Sequence, residues 1–207
     1  MYPVAGSQYL NSDYHLIDLS INNHDISNAL SQDEIMNYIL DETRRAGKKL
    51  AYGGYRERRD FYLQSELFQK NRRIVHLGID VWLAAQEPVY MHADGVIHSI
   101  QYNDAHLDYG HTIITKHTDS NQLSYALYGH LSAEGLSDIC IGDRIEAGSQ
   151  LAAVGSIDEN GGWAPHLHFQ LIHNLEDFIG DYPGVCSESD SAHYFINCPN
   201  PIKYILP

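Results

Sequence analysis

Apolar and polar positions change their spacing near residue 73, and the change separates two kinds of predicted element. Before it, the run His15-Leu16-Ile17-Asp18-Leu19-Ser20 alternates in the manner of a short strand. Ser31-Gln32-Asp33-Glu34 then has the Ser-x-x-Glu spacing of a capping box, so a helix is predicted to follow. Ile35, Tyr38 and Ile39 fall at i, i+3 and i+4 on one helical face, and Gly47 after Arg44 and Arg45 supplies a stop. The plain reading of this helix is packing, with no chemistry of its own.

From residue 73 onward the pattern becomes short β-prone runs, RIVHLGIDVWL, PVYMHADGVIHSIQY, HTIITKH, QLSYALYGHL, DRIEAGSQLAAVG and HLHFQLI. Gly95, Gly129, Gly142, Gly148 and Gly155 punctuate them at turn-like intervals, which suits hairpins better than βαβ units. The predicted fold is mainly β, a β-rich α+β chain with an antiparallel sheet core and a short N-terminal helical extension. The tail from Gly180 carries four of the seven prolines and reads as irregular chain packed over the sheet. We divide the chain into an N-terminal strand and helix extension, 1–60, packed on a core domain, 61–207.

Composition narrows the function classes. With 207 residues, 43% hydrophobic and 19% charged, the chain is long enough to bury one core and is unlike a disordered polymer. The formal charge of −14 repels nucleic acid and anionic membrane surfaces. No apolar run approaches the roughly 18 residues of a membrane span, and the first residues lack the basic and apolar regions of an export signal. These features point to the cytoplasm, or to a periplasmic or secreted protein if the sequence is a trimmed mature form. Cys140, Cys186 and Cys198 do not form a Cys-x-x-Cys site; a Cys186–Cys198 bridge is allowed, but the odd count favours reduced thiols.

Thirteen histidines are the more informative feature, because imidazole is the commonest metal ligand. His15, His24, His92, His98, His106, His111, His173 and His193 carry no spacing signal and read as surface or structural residues. His166 and His168 are two apart in a predicted strand and therefore share a face. Their Cβ atoms would lie roughly 7 Å apart, too wide for a comfortable shared chelate, so one can bind metal while the other reaches the reacting group. His76 and Asp80 form a His-x-x-x-Asp pair among β-branched neighbours. A straight strand would separate them by about 13 Å, so the chain must bend between them, and Gly78 permits a bend. Two nitrogens and one carboxylate oxygen leave a tetrahedral zinc one open position, as catalytic sites require. His130 and His117 end strands, and either fits a structural role.

In that order, the blocks HLGID, YGHLS, NGG and PHLHF resemble the lysostaphin and LytM type of zinc metalloendopeptidases, which cleave peptides of bacterial peptidoglycan. The likeness covers about residues 73 to 172. It implies that His76, Asp80 and His168 bind one zinc ion per chain in a groove, and that His130 and His166 are the non-ligand, catalytic histidines. The flanks YGGYRERRDFY and GDYPG…CPNP are similar to a peptidase-type domain found between a kinase-like phosphotransferase and a class III aminotransferase. ENGGWAP stands where wall hydrolases carry a Ser/Thr-rich loop, which implies a different substrate rim. Arg56, Arg58 and Arg59 could hold a substrate carboxylate, but they read more simply as a loop tied to the acidic surface, outside the site.

The expected activity is therefore zinc-dependent hydrolysis of peptide or peptidoglycan-derived substrates. Two alternatives stand beside it: a zinc amidase or esterase on a small amine-linked metabolite, and a metal-free binding domain. The scissile bond and the oligomeric state have no signature in the sequence.

Overall fold

Period-two alternation decides which face of a strand is buried, and here it gives the main sheet one face for packing and one for chemistry. The computed structural model describes residues 1–26, 31–119 and 122–206. Its strands are β1 (Tyr14–Leu16), β2 (Leu50–Gly53), β3 (Arg73–His76), β4 (Ile79–Trp82), β5 (Pro88–Tyr90), β6 (Gly95–Asn103), β7 (Gly110–Asp119), β8 (Gln122–Leu131), β9 (Arg144–Ile145), β10 (Gln150–Ala153), β11 (Leu167–Ile172) and β12 (Val185–Ser187). The helices are α1 (Gln32–Arg45), α2 (Glu66–Gln69) and α3 (Ser191–Asn197).

Eight strands form one sheet in the order β1-β2-β4-β11-β8-β7-β6-β9, while β5 pairs with β10 and β3 with β12 in two separate ribbons. β1 runs parallel to β2; the other pairs are antiparallel, as the hairpin-like punctuation predicts. Along β4, Ile79 and Val81 enter the largest apolar core with Leu167 and Phe169 of β11 and with Val89, Leu151 and Ala152 of the β5–β10 ribbon. The alternate residues, Asp80 and Trp82 on β4 and His168 and Gln170 on β11, point to the opposite face. The β3–β12 ribbon and the N-terminal elements cover that face.

α1 begins as its capping box predicts: Ser31 Oγ accepts from Glu34 N at 3.3 Å and Glu34 Oε2 accepts from Ser31 N at 2.8 Å. Ile35 and Ile39 are buried against Leu19, Phe61, Tyr62, Trp82 and Trp163. The strand predicted over 15–20 is shorter than expected. β1 stops at Leu16: Ile17 still donates to the Tyr52 carbonyl of β2 at 2.9 Å, but Ile17 and Leu19 are buried in the core shared with α1. The tail is also more ordered than its prolines suggest, since β12 pairs with β3 and α3 follows it. Cys186 and Cys198 are both buried free thiols, and Cys140 is exposed and free. Among the described residues no helix is long and apolar enough to cross a membrane.

Candidate metal centre

The His-x-x-x-Asp pair closes by a break between two strands. β3 ends at His76 in the β3–β12 ribbon, β4 begins at Ile79 in the main sheet, and Leu77-Gly78 crosses between them. Gly78 acts by size: a Cβ there would lie 2.6 Å from His168 Nε2 and 2.8 Å from the Phe169 carbonyl oxygen. Its φ lies outside the left-handed region, so the bend expected of it is really a close approach of two backbones. Across the sheet, register pairs His168 directly with Asp80.

Three donor atoms therefore converge. His76 Nε2 lies 2.9 Å from His168 Nδ1, and Asp80 Oδ1 lies 3.3 Å from the first and 3.2 Å from the second. Ligands about 2.0–2.1 Å from a tetrahedral zinc stand about 3.3 Å apart, so the spacing fits one ion. All three residues are buried, with no more than 3% exposed.

Second hydrogen bonds fix the tautomers. The His76 Nδ1–H donates to the Gly54 carbonyl at 3.0 Å. His168 Nε2–H donates to Gln170 Oε1 at 3.0 Å, and the Gln170 amide is oriented by its own donation to the Pro183 carbonyl. Both rings consequently present unprotonated nitrogens to each other and to a carboxylate. Burial drives the His76 pKa down to about 4, against the pull of Asp80, so this nitrogen stays unprotonated near neutrality. Two lone pairs and an anion within 3.3 Å repel unless a cation lies among them, and the arrangement fits a divalent metal.

Arg59 belongs to this centre, contrary to the sequence expectation. It is 2% exposed, and its Nη1 donates to Asp80 Oδ2 at 2.7 Å and to the Tyr62 hydroxyl at 2.9 Å. Nε also donates to Glu57. Burial alone would raise the Asp80 pKa, but His76, Arg59 and His166 together hold it well below the usual carboxylate range. The loop reading does hold for the neighbours: Arg58 pairs with exposed Glu188, and Arg56 stacks 4.1 Å over the Phe195 ring. An Arg-rich run on an acidic chain gives no sign of which guanidinium is buried.

His130 and His166 complete the cluster, their ring centroids 4.2 Å apart. His166 Nδ1–H donates to the Ala164 carbonyl at 2.7 Å, and His130 Nδ1–H donates to the Asn160 carbonyl at 2.9 Å. His166 Nε2 is 3.7 Å from Asp80 Oδ1. His130 is aimed by a bulge: Ile113 faces Tyr128 but His111 faces Leu131, so β8 carries an extra residue there. His130 takes the strained φ of 62° that results. Burial lowers the pKa of both imidazoles, His130 the further, because the His166 and His168 rings lie beside it. His117, the other strand-end candidate, is bound to Thr115 and the Asp94 carbonyl, packs on His92 and lies outside the cluster.

Asn160, fully buried in the ENGGWAP loop, holds that loop closed. Its Oδ1 accepts from Gly162 N and Trp163 N, and its Nδ2 donates to the Trp163 carbonyl. Gly161, at φ 89°, presses against the backbone at Asp108, where a Cβ would come within 2.0 Å of the carbonyl oxygen. The loop thereby sets Trp163 edge-on to Tyr62 with centroids 5.8 Å apart. The five histidine and aspartate side chains line one end of a cavity of about 260 Å³, whose remaining walls include Leu19, Ile35, Phe61, Tyr62, Phe68 and Trp163. α1 thus forms part of the site wall through Gln32 and Ile35, beyond the pure packing role expected of it.

The model of the family described as Peptidase family M23 matches residues 74–178, just over half of the chain. No curated protein matches. Among solved structures, a zinc-containing peptidase from Vibrio cholerae is 25% identical over 47% of this chain, with a TM-score of 0.39; the chain spans only 27% of that protein's length. The catalytic domain of lysostaphin from Staphylococcus simulans is 24% identical over 63% of this chain and 79% of its own, with a TM-score of 0.43. A mutant catalytic domain of the prophage-encoded M23 protein EnpA from Enterococcus faecalis is 24% identical over 53% of this chain and 79% of its own, with a TM-score of 0.41. Among the described residues His76, Asp80 and His168 form a group that could hold a metal ion; the family match includes all five residues of the cluster, and the chain belongs to peptidase family M23.

Proposed function

We propose that His76, Asp80 and His168 hold a single zinc ion, that His130 and His166 act on the proton and the oxyanion, and that the reaction is hydrolysis of a peptide amide bond. One observation carries this reading: the second hydrogen bonds on His76 and His168 leave lone pairs converging with Asp80 Oδ1 at 2.9–3.3 Å. A zinc ion held by these residues would supply Lewis acidity toward the scissile carbonyl and lower the pKa of a bound water toward neutrality.

The chain's own groups do the rest. His130 and His166 each commit Nδ1–H to a backbone carbonyl, which leaves each Nε2 unprotonated and able to accept a proton. With one ring protonated, its N–H becomes a donor for charge developing on the carbonyl oxygen, in a site from which bulk water is largely excluded. Arg59 occupies Asp80 Oδ2 and so keeps the carboxylate presented through Oδ1 alone. No glutamate base is required in this scheme.

Metal analysis and turnover separate these roles. His76→Ala and Asp80→Ala are expected to lose zinc and activity together, whereas His130→Ala and His166→Ala keep one zinc per chain and lose about 10²–10⁴ in kcat. Full zinc stoichiometry in His76→Ala would refute the ligand assignment. Muropeptides and glycine-rich peptides, each with a chelator control, are the substrates to try first.

A further inference from the structure

We infer that the bond cleaved in this cavity belongs to a short peptide or small amide bearing one bulky apolar group beside that bond, and that a cross-linked polymer is not the substrate. The inference rests on the hydrolase reading above and concerns what the same site admits.

An endopeptidase acting on a polymer needs chain on both sides of the metal, and therefore an open groove. Here the five polar site residues are at most 6% exposed. The cavity they line, about 260 Å³, falls just below the roughly 300–1,000 Å³ of sites that hold small molecules. It has room for one side chain and the amide attached to it.

The enclosing walls come mainly from outside the family match. All the metal-centre residues except Arg59 lie within 74–178, but Leu19, Ile35, Phe61, Tyr62 and Phe68 precede it, and Tyr182 to Val185 follow it. Within the match, Trp163 closes a further side from the loop that Asn160 locks. The N-terminal walls belong to one apolar cluster that also packs Ile39 of α1 and Trp82 of β4. They are held as firmly as core and give no sign of a loosely laid lid. Aromatic walls of this kind favour an apolar or aromatic group by contact area. Gln32, also on the wall, has a buried amide nitrogen without a hydrogen-bond partner among the described residues. A carbonyl or carboxylate oxygen of a bound substrate would satisfy it.

The test compares substrates on zinc-loaded full-length protein: blocked X-Gly dipeptide amides with X as Ala, Leu, Phe or Trp, then pentaglycine, then intact peptidoglycan sacculi. The expected result is kcat/KM rising at least tenfold from Ala to Phe, with pentaglycine and sacculi at least a hundredfold below the best dipeptide. Isothermal titration with the acyl products should show N-acetylphenylalanine binding at least tenfold more tightly than N-acetylglycine. Ile35→Ala, which opens the wall and leaves the metal centre intact, should raise pentapeptide turnover relative to dipeptide by about tenfold. Sacculi or pentaglycine cleaved as fast as the best dipeptide would overturn the inference. Product binding in the expected order with no turnover in any arm would instead overturn the hydrolase reading and leave the size and apolarity of the ligand standing. Neither binding nor turnover in any arm overturns both.

Discussion

Arg59→Met removes a buried cation beside Asp80 while keeping an unbranched side chain of similar length. In the native protein Arg59 serves two carboxylates and a hydroxyl at once: Asp80 Oδ2 at 2.7 Å, Glu57, and the Tyr62 hydroxyl at 2.9 Å. Breaking a buried pair from one side costs about 3–5 kcal/mol, because the remaining charge stays desolvated. Glu57 offsets part of this: burial already raises its pKa, so it can take up a proton when its partner goes. Asp80 cannot do so without giving up its proposed role at the metal. For a chain of this length each kcal/mol moves Tm by about 2–4 °C, so metal-free Arg59→Met should melt roughly 6–20 °C below metal-free wild type. Saturating zinc should recover part of the loss, since the ion restores positive charge at Asp80 but does nothing for Glu57. Arg59→Lys should be intermediate, because a single ammonium cannot span the three partners that the guanidinium fork reaches. Differential scanning calorimetry with chelator and with excess zinc gives the four values needed. A metal-free Arg59→Met melting within 2 °C of wild type would refute the claim that Arg59 neutralises this centre.

Other outcomes follow from the same geometry. Gly78→Ala places a methyl 2.6 Å from His168 Nε2 and 2.8 Å from a backbone oxygen of β11; it should push β11 away from the β3–β4 link and lower zinc affinity at least tenfold, as measured by competition with a chromogenic chelator. Asn160→Ala removes three hydrogen bonds within the ENGGWAP loop at a fully buried position, each worth about 1 kcal/mol; it should lower kcat through a misplaced His130 and leave zinc stoichiometry at one. His92 lies away from the metal centre, and burial, then His117, Lys203 and the N-terminus, lowers its pKa to about 2. Below the unfolded value near 6.5 the unfolded chain gains a proton that the folded one refuses, so stability is full above pH 6.5 and falls as the pH drops toward 2, by up to about 1.4 kcal/mol per unit from this group. His92→Gln should flatten that slope between pH 6.5 and pH 4.5 in urea titrations, and an unchanged slope would show that His92 is not kept neutral.

The parts of the site legible in the sequence were those encoded by local spacing. His166 and His168 share a strand face by parity alone, and the capping box at Ser31 located the start of α1 to the residue. The closure of His76 on Asp80 was legible as a requirement, since a straight strand could not bring them together, but not as a mechanism. The mechanism depends on which ribbon β3 joins, and β12 lies more than a hundred residues away in the chain. Arg59 and Asn160 were missed for the same reason. Each acts through partners whose proximity is tertiary, and an arginine among three arginines or an asparagine before two glycines looks like surface loop until the burial is known. The tail misled differently: its prolines marked real interruptions, but β12 needs only three residues to pair, too few to show a period.

The three proposed ligands lie on β3, on β4 and on β11, so the centre would tie the β3–β12 ribbon to the main sheet at the point where β3 passes to β4 through Leu77 and Gly78 alone. Without a cation, two imidazole lone pairs at 2.9 Å and a carboxylate oxygen oppose that closure, and Arg59 answers the charge on only one side of Asp80. With a cation the same contacts become attractive. Zinc should therefore stabilise the junction as well as supply the chemistry, and its removal should loosen the ribbon before it melts the sheet. The core packed between the β5–β10 ribbon and the other face of the sheet contains none of the donors and has no such dependence. Hydrogen exchange on the metal-free protein should accordingly show lost protection at Ile74 to His76 and Val185 to Ser187, with Ile113, Ala126 and Phe169 unchanged; uniform loss across both sets would mean that the ion is coupled to the whole fold and not to this junction.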